Sequence, residues 1–209
     1  MTDILLITLA ASLLYISIAN RLLTYIGVLV VQGFLLFFIT LFTLTNLNTI
    51  NLILILLETI VFKAIAVPWF ISHILKRNKI TRIAEPYLPS FISLLIVTAI
   101  IIAATILSSS IVDKSLDKMF FIVALSTLFT GLYLIVSRKK IITHVIGYLI
   151  IENGVFILSL AVGNEMPMLV NLGIMLDIFA SVLILGIFFN KIGDVLNDPD
   201  VNVLRNLKD

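Results

Sequence analysis

The chain contains no cysteine, which excludes disulfides, thiolate-held iron–sulfur clusters and a cysteine-type zinc site. Its two histidines, His73 and His144, are the minimum for a b-type haem, but no second feature of the sequence points to one. Charge is scarce. Asp, Glu, Lys and Arg make up 12% of the 209 residues, half the ~25% of an average soluble domain. A net charge of +2 leaves no basic face for nucleic acid. The start, Met1-Thr2-Asp3, lacks the basic n-region of a secretory signal, and no A-x-A-like site follows the first apolar run. The first helix is therefore expected to be retained.

What fills the chain instead is aliphatic: 61% of residues are hydrophobic and mean hydropathy is +1.21. The apolar runs are long enough to span a bilayer. They predict an all-α polytopic membrane protein of about seven transmembrane helices, over 4–19, 22–44, 52–74, 91–112, 119–137, 141–162 and 169–190. The links are polar and mostly short. Arg21, Lys76, Arg77, Lys79, Arg82, Arg138, Lys139, Lys140, Lys191, Arg205 and Lys208 fall on one side. The other side holds Lys114 and Lys118, and Lys63 lies within a span. The positive-inside rule puts the rich side in the cytoplasm, with the N-terminus outside and the C-terminus inside. The expected location is the plasma (inner) membrane.

A weak internal repeat runs through the chain. RLLTYIGVLVVQGFLLF, from Arg21, parallels KIITHVIGYLIIENGVFIL, from Lys140. Gly27 matches Gly147, and five residues later Gln32 stands where the second copy has Glu152. Asn51–Glu58 similarly parallels Asn171–Asp177. The expected organisation is a first three-helix unit over 1–75, a linking region with helix 4 over 76–118, a second three-helix unit over 119–192 and a cytoplasmic tail over 193–209. Both units start outside, a parallel repeat that needs the odd fourth helix to restore direction.

Ionisable residues inside spans are expensive and usually face a bundle interior or a water-filled path. Glu152 lies roughly 17 Å from the basic end of its helix, and Asp177 roughly 12 Å from the opposite boundary, by helical rise. Both reach the midplane of a ~30 Å core. Two acids at one depth on neighbouring helices suggest a proton relay; the plain alternative is a pair of protonated structural acids. Glu58 and Lys63 share the third span. Five residues is a poor spacing for pairing on an α-helix, so Lys63 is expected to meet an acid on another helix. It would serve there either as an electrostatic switch or as a static ion pair. His144 is a candidate proton entry group below Glu152, or an ordinary interfacial residue. Pro68-Trp69 reads as a kink and an interfacial anchor, Gly147 and Gly154 as close helix packing, and Asn153 as a hydrogen-bonded tie to a neighbour.

Helices 5–7 resemble the small K subunit of respiratory complex I and the matching subunit of multisubunit cation/proton antiporters. The motifs are Arg138–Lys140, Ile146-Gly147, Glu152 and Asp177. In the respiratory family the first glutamate follows the Ile-Gly pair by two residues, where this chain has Leu149, and Asp177 replaces a glutamate. The whole chain is similar to the E component of hydrogenase-4-type complexes, through Ile151–Phe156, Leu172–Ile178, Glu58, Lys63 and Pro68-Trp69.

The resemblance implies a membrane-arm subunit of a complex I-like group 4 [NiFe]-hydrogenase or formate hydrogenlyase. Such a subunit would be a non-catalytic part of an oxidoreductase complex that binds no cofactor of its own. The Ni-Fe site and Fe-S clusters would then sit in partner subunits of a peripheral hydrogenase arm, with antiporter-like and other membrane subunits alongside. Glu152, Asp177, Glu58, Lys63 and His144 would line its proton (or sodium) path. A multisubunit antiporter component, a free-standing secondary transporter and a structural adaptor with inert acids are the alternatives.

Overall fold

The computed structural model describes residues 1–43, 49–77, 86–111, 116–161 and 186. Among them the fold is wholly helical, with no strand, and it is that of a polytopic membrane protein. Its elements are α1 (Thr2–Ile18), α2 (Leu22–Thr43), α3 (Thr49–Leu57), a π-helical segment (Glu58–Ala66), α4 (Val67–Arg77), α5 (Ser90–Ser110), α6 (Lys118–Ser137) and α7 (Ile141–Ala161). α3, the π segment and α4 form one continuous rod, so the described residues make six rods. Five of these carry stretches long and apolar enough to cross a bilayer. α1 is shorter, at 17 residues, or about 26 Å of helix. The first six expected spans coincide with these rods. The seventh, over 169–190, lies outside the described residues, as do Lys79, Arg82, Lys114, Lys191 and the tail.

Local chemistry sets the ends. Asp117 caps α6 by accepting from the backbone N–H groups of Met119 at 3.0 Å and Phe120 at 3.3 Å. Pro89 precedes the first turn of α5, and Ala19 leaves α1 with an extended backbone. The hydroxyls of Thr8, Ser12, Thr40, Thr98 and Thr127 donate to carbonyls three or four residues back in their own helices. Each hydroxyl thus enters an apolar setting already satisfied.

One end of the bundle gathers the turn after α1, the segment before α5 and the α6–α7 turn. Asn20 donates to Ser90 Oγ at 3.3 Å, the Tyr87 N–H donates to Ser137 O at 3.0 Å, and Pro86 bridges to Arg138. Arg21, Lys139 and Lys140 therefore share one end, as the loop charges require. At the other end the Asp117 N–H donates to Ala161 O at 2.9 Å.

α6 and α7 are the most intimately packed pair, and glycine makes that possible. A Cβ on Gly131 would stand 2.7 Å from Gly147 O, one on Gly147 2.9 Å from Gly131 O, and one on Gly154 2.8 Å from the Leu128 backbone. Gly147 and Gly154 thus admit a neighbouring backbone, as their seven-residue spacing implied. α1 and α2 pack beside α6 and α7, with α5 outside against α6 and α1. Arg138 Nη2 donates to Ser17 O, and Asn153 Nδ2 to Gln32 Oε1, both across a separation of 121 residues. Two hairpins lying side by side in the same direction, in one register, give that constancy. It is the arrangement an offset of 120 between Gly27 and Gly147 implies.

Candidate functional site

Two buried apolar clusters lie toward the two ends of the interior; polar side chains are buried between them and also at the ends, among them Ser17, Arg138, Lys140 and Thr143 at the basic end. One buried cluster, at the end of the basic turns, holds Leu13, Ile16, Leu22–Leu29 positions of α2, Ile71, Leu134 and Ile142 to Ile150 of α7. The other holds Leu6, Leu9, Leu36, Ile55, Phe120 and Phe156. Along five rods polar or charged residues stand between the two clusters. They are Ser12 on α1, Gln32 on α2, Glu58, Thr59 and Lys63 on the π segment, Ser126, Thr127 and Thr130 on α6, and Glu152 and Asn153 on α7. Together these residues form a polar belt across the middle of the bundle.

At its centre Lys63 Nζ makes an ion pair with Glu152 Oε1, with the two side chains only 9% and 8% exposed. The expected partner on another helix is therefore Glu152. Phe156, one α-helical turn beyond Glu152, sets its ring 4.8 Å from Lys63 Nζ, so the ammonium meets the carboxylate and a π face together. Glu58 is 7% exposed and lies within electrostatic range of both Lys63 and Glu152. The cluster is one cation between two carboxyl groups.

The backbone beneath it is unusual. In α-helical register Glu58 and Lys63 would point well apart. In a π-helix each N–H reaches the carbonyl five residues back, and about 4.4 residues make a turn. Residues 58 and 63 thereby become neighbours on successive turns. The Val67 N–H donates to Phe62 O, which closes the π register. Pro68, which follows, has no N–H to offer and would crowd Ala64 O in an α-turn. The widened turn ahead of Pro68 relieves that crowding and leaves Lys63 O without its five-residue donor. The kink expected at Pro68 is thus a nine-residue π segment. Trp69, 66% exposed, stacks on His73 with ring centroids 5.7 Å apart.

Asn153, next to Glu152, donates to Gln32 Oε1 at 3.2 Å, and Gln32 Nε2 donates to Ser12 Oγ at 2.9 Å. The position at which the first repeat carries an amide instead of an acid is therefore joined to the site. Sequence reasoning saw only that Gln32 stands where the second copy has Glu152, and missed this link. Its signal was Asn153 beside an intramembrane glutamate.

His144 stands apart. Its Nε2 donates to Arg138 O at 2.8 Å, and eight residues separate it from Glu152, about 12 Å of helix lined by Ile146, Leu149 and Ile150 of the end cluster. Asp177 lies outside the described residues. Arg138 and Lys140, read as loop cations, are each 1% exposed. The Arg138 guanidinium bonds Ser17 O at 2.7 Å and lies 5.7 Å from the Tyr25 ring centroid. A local sequence pattern gives no sign of this burial, because the covering groups come from α1 and α2.

No protein-family profile and no solved structure matches the chain. Over 165 residues, 78% of this chain and 75% of the relative, it is 23% identical to an uncharacterized protein of Mycobacterium tuberculosis (strain ATCC 25618 / H37Rv). Over 86 residues it is 34% identical to hydrogenase-4 component E of Escherichia coli (strain K12), and equally to that of Shigella flexneri. That match spans 41% of this chain and 40% of the hydrogenase component, so less than half of either protein is covered.

Proposed function

We propose that this chain is an integral subunit of a complex I-like membrane assembly, a group 4 [NiFe]-hydrogenase or formate hydrogenlyase. Within it the chain contributes a stretch of the proton (or sodium) path. The observation that carries the reading is the buried belt with the Lys63–Glu152 pair at its centre and Glu58 beside it. A static core has little use for three ionisable groups in the membrane interior, since well-packed apolar residues of similar volume are often as stable. A charge shared between two acids has a use: whichever carboxylate Lys63 leaves must take up a proton or cation. The partial likeness to hydrogenase-4 component E supports the kind of assembly.

Apolar clusters on both sides of the belt favour lateral passage, from rod to rod at mid-depth, toward an adjacent antiporter-like subunit. In this reading Glu152, Glu58 and Lys63 are the relay, with Asp177, in the expected seventh span, as its continuation. His144, behind the apolar end cluster, stands outside that lateral route; the basic end is taken to face the cytoplasm. The Ni-Fe and Fe-S chemistry belongs to partner subunits. Purification of a tagged chain in mild detergent, with mass spectrometry of its companions, tests the assembly. Recovery of a [NiFe]-hydrogenase large subunit with antiporter-like subunits is expected, and a lone 23.2 kDa species would overturn the proposal.

A second reading is a component of a multisubunit cation/proton antiporter. The resemblance of Ile146-Gly147 with Glu152 to the motif of such subunits, from which it departs at Leu149, favours it. The same purification would then return antiporter-like subunits without redox partners.

A further inference from the structure

We infer that Gln32 and Gly33 of α2 form a positioning bracket that sets the Lys63–Glu152 contact; the inference rests on the reading of that pair as the relay. α2 packs against the π segment and against α7, the two elements that carry the charges. At Gly33 the approach is a backbone contact: a Cβ there would lie 2.7 Å from both Cα and N of Ala64, the residue after Lys63. One position earlier, Gln32 Oε1 accepts from Asn153, the residue after Glu152, at 3.2 Å. Two consecutive residues of one helix therefore hold the neighbours of both members of the pair.

Gln32 is itself fully buried and oriented. Its Nε2 donates to Ser12 Oγ at 2.9 Å, and that hydroxyl donates to Leu9 O at 2.6 Å. Turning the amide over would put a donor against Asn153 Nδ2 and an acceptor against a hydroxyl already committed as a donor. The chain of bonds has one direction, and it fixes α1, α2 and α7 at the level of Glu152. Lysine reaches through a flexible four-carbon stem, so its own length does not select one partner between Glu58 and Glu152. The distance between the π segment and α7 does, and Gln32-Gly33 sets that distance.

Glycine crossings and buried amides also serve plain packing in membranes, so the test reads the contact itself. A membrane-permeant carbodiimide is applied to the full chain in its native membrane. It activates the Glu152 carboxyl, the Lys63 amine displaces the urea, and an isopeptide bond forms only where the two groups touch. Mass spectrometry of the digested chain quantifies the Lys63–Glu152 product. Wild type is expected to give it. Gln32→Leu and Gly33→Ala are expected to lower its yield about tenfold, since reactions between positioned groups fall steeply with displacement. The exchange Gln32→Asn with Asn153→Gln, which keeps both amides, is expected to restore it.

An unchanged yield in Gln32→Leu would overturn the bracket, and so would the absence of product in wild type. Should Gly33→Ala fail to accumulate in the membrane, Gln32→Leu and the exchange carry the test. Ion translocation by Lys63→Met is measured separately. Translocation unchanged there refutes the relay reading, while the isopeptide yields still decide the bracket.

Discussion

Lys63 and Glu152 hold each other in place, and removing one leaves the other charged in a setting with little else to solvate it. Breaking a buried pair from one side typically costs about 3–5 kcal/mol, whereas replacing both partners is often near neutral. Lys63→Met should therefore lower the thermal midpoint of the purified assembly more than the double substitution Lys63→Met with Glu152→Gln. Thermal unfolding followed by loss of assembly checks the order. Equal midpoints for the single and double variants would mean that the pair is uncoupled. The tie between Asn153 and Gln32 is smaller: Asn153→Ala should cost about 0.6 kcal/mol, the average for interhelical hydrogen bonds in membranes.

These residues were legible in unequal measure. Glu152, Glu58 and Lys63 announce themselves because charge interrupts an aliphatic run. The pairing of Lys63 with an acid on another helix followed from its poor spacing to Glu58. Which acid it meets did not, because that depends on how α2 separates the π segment from α7. Gln32 looked inert for the same reason. Arg138 looked exposed, since a charge next to a turn is ordinarily solvated, and only the approach of Ser17 and Tyr25 buries it.

At the scale of elements, the third rod is the one whose geometry departs from expectation. Pro68 signalled a bend, but a proline can kink a helix in several ways, and the sequence does not distinguish a tight break from a widened run of π turns. The consequence falls on the candidate site: in the π register Glu58 and Lys63 become neighbours. Pro68→Ala returns an N–H to the ladder and removes the crowding at Ala64, so the rod should relax toward α-helix. Proline inside a helix costs about 3 kcal/mol relative to alanine, so the variant should be at least as stable as wild type. Its ion translocation should nevertheless fall, because Lys63 then turns away from Glu58. A stable variant with undiminished translocation would show that the π register has no role.

The α6–α7 pair sits at the opposite pole, as the most predictable part of the fold. Gly147 and Gly154 at heptad spacing marked the seam, and the structure adds Gly131 as the facing member. Gly147→Ala meets Gly131 O at 2.9 Å, and overpacking of this kind costs typically 1–3 kcal/mol. Reduced accumulation of the chain in the membrane, read by immunoblot, is the expected outcome.

On the scale of the whole molecule, the six rods of the described residues enclose two apolar clusters with a polar belt between them. Hydropathy made the rods readable and the loop cations grouped their ends. The belt was not readable as a belt. It is assembled from residues on α1, α2, α6, α7 and the π segment, and only the packing brings the uncharged members Ser12, Gln32, Thr130 and Asn153 to the level of the charged ones. On the proposed function, a belt flanked by apolar clusters would give protons or cations a route along the membrane plane into a neighbouring subunit.

The most direct test of this account is ion translocation by the purified assembly in sealed vesicles, comparing wild type with Glu152→Gln. The substitution keeps the shape of the side chain and removes its capacity to carry a proton or a charge. If Glu152 is a relay group, the translocation rate falls by roughly 100-fold, the lower end of what a positioned proton-transfer group contributes, while the assembly stays intact. Translocation at the wild-type rate by the intact variant would contradict the account and leave the buried pair as a structural fastening.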